Sequence, residues 1–202
     1  MWTLSSWVRL SKKSEVNYGL MLAIYLALST VTLLLFQLFS NVIYSPVEAL
    51  LIALFTIFLI ALAMIDAITG YLPNALTIPL MLSGLAFHIL GKYVFPWHLF
   101  SDPTGSFIGA FIGYGLFYIA NQIHRRIKGF DGIGMGDAKL LAAIGAWFGV
   151  ENLVVVVATA SALSLAIPLF KWILRKPRGS SLAPFGPFLA VGGLISLIKL
   201  PL

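Results

Sequence analysis

Charge is what this sequence has least of: Lys, Arg, Asp and Glu make up 10% of its 202 residues, where a soluble domain carries about 25%. So few charges cannot cover a water-soluble globule, which excludes a typical soluble enzyme, a disordered chain and a nucleic-acid-binding domain. Cysteine is missing altogether, and with it go disulfides, thiolate zinc sites and a cysteine nucleophile. Histidine is scarce. His88, His98 and His124 fall on different spans or loops, which does not make a metal-ligand set; no metal and no cofactor are expected. His98 and His124 read as interfacial, His88 as a packed span residue.

What the chain has instead is apolar length. Hydrophobic residues make up 60% of it, and its mean hydropathy is +0.99. A helix needs roughly 20 apolar residues to cross a hydrocarbon core of about 30 Å. Seven such runs occur, over residues 18–39, 47–65, 75–94, 106–123, 133–150, 153–170 and 184–200. The fold class is therefore all-α, a polytopic membrane protein of about seven transmembrane helices in contact with lipid. Residues 1–17 read as a short cytoplasmic segment and 18–202 as one transmembrane domain.

The basic excess of +6 orients those spans. Arg9, Lys12 and Lys13 precede the first run, which is about 22 residues long and has no small-residue cleavage site after it, so it reads as an uncleaved signal anchor. With the N-terminus cytoplasmic, Arg125, Arg126 and Lys128 fall inside after the fourth run, and Lys171, Arg175, Lys176 and Arg178 inside after the sixth. Lys139 also falls near an inner end. Only Lys92 and Lys199 approach the outer face, where long side chains snorkel to headgroups. Gly105, Gly109 and Gly113 recur every four residues in the fourth run, as do Gly145 and Gly149 in the fifth. Small residues on one face let helix backbones approach closely in lipid, so close packing is expected there; a substrate groove is the lesser alternative.

Glu15, Glu48, Asp102, Asp131 and Glu151 fall in loops or at span ends, where solvation is the ordinary explanation. Asp66 and Asp137 differ: one closes a long apolar run, the other opens one. The run after Asp137 is only about 13 residues, or about 20 Å of helix, so Asp137 belongs at or just below the interface. Both aspartates lie at cytoplasmic ends of spans and can meet at one depth. Two carboxylates sharing a site cannot both ionise cheaply, so such a pair holds a single proton. A pair of that kind is the dyad of an aspartic protease, whose charged member takes a proton from water while the other polarises the scissile carbonyl. Helix capping by either Asp and a proton-relay carboxylate remain open as alternatives. Gly132, Gly134 and Gly136 lack the strand–loop–helix context of a phosphate loop and read instead as backbone that an extended peptide can approach.

Three stretches resemble the type IV prepilin peptidase family, membrane aspartic proteases with a Gly-x-Gly-Asp motif. The first runs Asp66-Ala67-Ile68-Thr69-Gly70-Tyr71-Leu72-Pro73-Asn74. The second is Gly134-Met135-Gly136-Asp137-Ala138-Lys139-Leu140, and the third Pro184-Phe185-Gly186-Pro187-Phe188-Leu189-Ala190. The resemblance runs from about residue 45 to the C-terminus. It implies Asp66 and Asp137 as the catalytic pair, with Pro73, Asn74, Gly134, Gly136, Lys139, Pro184, Gly186 and Pro187 as motif or substrate-access positions. It also implies cleavage of a prepilin or pseudopilin, with its basic leader and hydrophobic helix, at the cytoplasmic face of a prokaryotic inner membrane. Many family members carry a cytoplasmic segment rich in paired cysteines that is associated with N-methylation. With about 17 residues before the first span and no cysteine, this chain resembles a minimal peptidase without it. The competing readings are a presenilin-like or signal-peptide-peptidase-like protease, though its Pro-Ala-Leu motif does not occur here, a proton-coupled transporter using the same aspartates, and a non-enzymatic pilus assembly subunit. Nothing in the sequence points to an oligomeric state or to a particular pilin.

Overall fold

The computed structural model describes residues 46–94, 102–132, 134–173 and 184–198. The expected segment 1–17, the first span, His98, Arg175, Lys176, Arg178 and Lys199 lie outside the described residues. Five helices follow one another: α1 (Pro46–Thr69), α2 (Asn74–Val94), α3 (Pro103–Lys128), α4 (Met135–Ile173) and α5 (Gly186–Ile198). The chain divides into two units, 1–53 and 54–202. Of the first only the opening turns of α1 are described; the site belongs to the second.

Local sequence sets the helix ends. α1 stops where Gly70 takes φ 63° and returns its N–H to the Asp66 carbonyl at 2.8 Å, a left-handed C-cap that glycine adopts at no steric cost. α2 starts after Pro73, whose carbonyl accepts from the Leu76 and Thr77 N–H groups. Asp102 caps α3 by accepting the Gly105 N–H at 2.7 Å, with Pro103 in the first turn, so an aspartate assigned to plain solvation has a structural partner. α3 ends at Gly129 with Arg125, Arg126 and Lys128 in its last turn, where cations complement the helix dipole.

α4 unites the expected fifth and sixth spans across a break at Gly149, where φ is 73° and ψ is −178°. The bend is sharp. A Cβ on Gly193 would touch Ile144, from before the break, and one on Gly192 would touch Val156 and Thr159, from after it. In a straight helix Ile144 and Val156 would stand about 18 Å apart, yet both arms meet neighbouring residues of α5. A helix end frees carbonyls, and side chains satisfy them here. Ser106 Oγ donates to the Ala146 carbonyl, His88 Nε2 to Trp147 at 2.9 Å, and Asn152 Nδ2 to Phe148 at 3.0 Å. His88 is thus a packed span residue, as expected.

The first arm of α4 is the centre of the second unit. Its residues 140–149 are buried without interruption, as a helix surrounded by others must be. α3 runs antiparallel along it: Cβ atoms on Gly109 and Gly145 would each strike the other's carbonyl, and one on Gly113 would strike that of Leu141. The four-residue glycine spacing therefore serves close packing. Trp147 fills the space left by Gly84, packs on Phe55 and Phe87, and donates its indole N–H to Leu80 O at 2.8 Å. Outward the surface is apolar, with Phe111 82% and Val154 74% exposed, which suits lipid and not water. Among the described residues four helical stretches are long and apolar enough to cross a membrane, Leu50–Thr69, Asn74–Gly91, Pro103–Lys128 and Met135–Ala166, and Gly186–Leu197 is a shorter apolar helix. The protein is an all-α, multi-pass membrane protein.

Candidate active site

Asp66 lies in the last turn of α1 and is only 4% exposed. Its Oδ2 accepts the N–H of Gly186 at 2.9 Å, the first residue of α5, from 120 positions away in the chain. That N–H has no partner within its own helix and points from the positive end of the helix dipole, so the carboxylate gains a donor and a favourable field where water is excluded. Capping by aspartate, an alternative open from the sequence, is realised between two helices. A Cβ on Gly186 would stand 2.5 Å from the same Oδ2, so a larger residue there would have to displace the Asp66 carboxyl.

Asp137 occupies the first turn of α4, half-buried. Its N–H returns to the Gly134 carbonyl at 3.1 Å, which folds the Gly-rich segment into the start of the helix. Gly134 leaves room for the Asp137 carboxyl, whose Oδ2 would be 3.2 Å from a Cβ at that position. Gly136 accommodates Leu72, whose Cβ would be 2.9 Å from one on Gly136. Lys139 Nζ donates to Asn74 Oδ1 at 2.8 Å. The first motif stretch thus touches each of the other two, far apart in sequence: 66 meets 186, and 72 and 74 meet 136 and 139. Pro73, Pro184 and Pro187 stand at helix starts. Pro73 supplies the carbonyl that opens α2, and Pro184 and Pro187 flank the Gly186 N–H, with Pro187 at the second residue of α5.

A second polar group next to the site went unread in the sequence. Asn121 of α3 is 4% exposed; its Nδ2 donates to Asp131 Oδ1 at 3.1 Å and its Oδ1 accepts the Gly132 N–H at 2.9 Å. It ties the Gly-rich turn to α3, and Arg125 Nε stands 4.0 Å from Asp131. An amide inside an apolar span ten residues before an Asp-Gly pair was the available signal. His124 packs beneath Gly132 and edge-on to Phe130. Among the described residues no group of three or more His, Asp or Glu side chains is placed to share a metal ion.

Residues 53–169 match the sequence profile of the Type IV leader peptidase family. The chain belongs to that family. It is similar to the prepilin leader peptidase/N-methyltransferase of Burkholderia pseudomallei (strain 1026b), with 39% identity over 139 residues, 69% of this chain and 43% of that protein. The protein of the same description from Neisseria gonorrhoeae is 36% identical over 140 residues, 69% of this chain and 45% of that one. For the one from Dickeya chrysanthemi the identity is 36% over 198 residues, 96% of this chain and 66% of the relative. The chain spans less than half the length of the Burkholderia and Neisseria proteins. No solved structure matches. The leader-peptidase match includes Asp66 and Asp137 and stops before Gly186, the residue whose backbone holds Asp66.

Proposed function

We propose that this protein is an aspartic endopeptidase that removes the leader peptide of type IV prepilins or prepilin-like proteins at the cytoplasmic membrane face. The observation that carries the reading is that the stretch bearing Asp66 contacts both of the other motif stretches, with Asp66 buried and held by the Gly186 N–H at 2.9 Å. In this mechanism Asp66 and Asp137 share one proton. The ionised member takes a proton from water as its oxygen attacks the scissile carbonyl, and the protonated member donates to the carbonyl oxygen, which leaves a neutral gem-diol. Collapse breaks the C–N bond, and a carboxyl proton passes to the leaving amine.

The cytoplasmic face follows from charge. Arg125, Arg126 and Lys128 close α3 at the end from which the chain turns into Asp137, and such clusters are retained inside. A substrate with a basic leader and a hydrophobic helix would present its cleavage point at that depth while its helix stays in lipid. The deciding experiment is co-expression with prepilins of the same source, scored for leader removal; prepilins that keep their leaders in the presence of membrane-inserted enzyme would sink the proposal.

The reading covers cleavage and not methyl transfer. Hydrolysis needs two carboxylates and water, whereas methylation needs a bound methyl donor and an unprotonated amine, and the family's platform for that step resembles a cysteine-bearing lobe. The 202 residues contain no cysteine. Mass spectrometry of pilin processed by this chain alone should find the leader removed and no added methyl group at the new N-terminus.

A further inference from the structure

Lys139 sits two residues beyond Asp137, and in an α-helix that offset turns it about 200° around the axis. The two side chains therefore leave α4 on opposite faces, which argues against Lys139 as a proton carrier for the dyad. Its Nζ instead reaches Asn74 Oδ1 at 2.8 Å, a bond across 65 positions of sequence. Asn74 opens α2 at the end of the short connection that follows Asp66. Two residues earlier in that connection Leu72 is 4% exposed, and its side chain fills the place a Cβ would occupy on Gly136. The connection leaving Asp66 is thus joined to the first turn of α4, which carries Asp137, by an apolar contact and by a charge-assisted hydrogen bond.

We propose that Lys139 is a positioning residue: its bond to Asn74 holds the first turn of α4 in register with the α1–α2 connection and so sets the separation of the Asp66 and Asp137 carboxyls. The inference rests on the peptidase reading above. The hydrogen bond is exposed, so water competes for both groups and it adds little to overall stability. Catalysis is far more sensitive to placement, since a misplacement of about 1 Å can cost about 100-fold in rate. A latch of this kind therefore acts on turnover more than on folding or on substrate affinity.

The test is a double-mutant cycle with the full chain in liposomes and a prepilin of the same source, reading kcat and KM for leader cleavage. Lys139→Met and Asn74→Leu should each lower kcat about tenfold or more, with KM within about twofold and the thermal midpoint in detergent little changed; the double variant should be no worse than the poorer single one. Asn74→Asp keeps an acceptor for the ammonium and should recover most of the loss seen with Asn74→Leu, and only while Lys139 is present. Losses that multiply in the double variant, or a change carried wholly by KM, overturn the latch. Asp66→Asn and Asp137→Asn separate the two ideas. If they are inactive while Lys139→Met cleaves normally, the latch falls and the peptidase reading stands; if they cleave normally, both fall.

Discussion

A carboxylate at the bilayer centre costs on the order of 2.5 to 3.5 kcal/mol, and Asp66 meets that cost in two ways. It lies at the end of its helix and it accepts an N–H from the start of another. Replacing Asp66 or Asp137 by Asn keeps the volume and removes the acid–base function. Each variant should therefore insert normally and lose leader cleavage by orders of magnitude, since the pair acts as one unit; an immunoblot comparing precursor with mature pilin checks this, and near-normal processing by either variant would end the assignment. Gly186→Ala tests the cradle without touching a carboxyl. Its Cβ would come 2.5 Å from Asp66 Oδ2, so the carboxyl has to shift. Cleavage should drop at least about tenfold at unchanged membrane abundance, and wild-type rates would mean that this N–H has no part in the reaction. The sequence named Gly186 only through the resemblance; nothing in its spacing to Asp66 indicates that the two touch.

The break in α4 shows how one residue shapes an element. At φ 73° and ψ −178°, Gly149 occupies a region that is essentially glycine-only, and Gly109 of α3 packs against its backbone. Gly149→Ala should therefore cost about 1 to 3 kcal/mol from backbone strain alone, before any clash with Gly109. A lower thermal midpoint in detergent is the expected outcome, and a midpoint equal to wild type would show that the bend does not depend on glycine. The glycine spacing in the fourth and fifth runs was legible as a packing signal. Which partner each glycine faces was not, because helix–helix register depends on both surfaces together. Ser106, His88 and Asn152 satisfy carbonyls freed at the break, and nothing in the sequence ties these three side chains to it.

For the molecule in its membrane, we propose seven spans with the N-terminus cytoplasmic and the C-terminus outside. That arrangement places Arg125, Arg126, Lys128 and both aspartates on one side. Because the chain has no cysteine, single-cysteine labelling has no background: Lys128→Cys should react with a membrane-impermeant maleimide only after the membrane is opened, and labelling in intact cells would overturn the topology.

Composition alone determined that the chain lives in lipid, because 10% charge cannot solvate a globule of this size. Apolar run length placed the described helices to within a few residues, since bilayer thickness sets helix length. Short motifs singled out Asp66 and Asp137. Only the tertiary structure decided that the Gly186 N–H supports Asp66 and that Lys139 reaches Asn74. It also decided that Asn121 anchors the Gly-rich turn and that two expected spans join through a bend at Gly149. Those contacts join residues between 10 and 120 positions apart, and the side-chain periodicity of a helix carries no information about a partner on another helix.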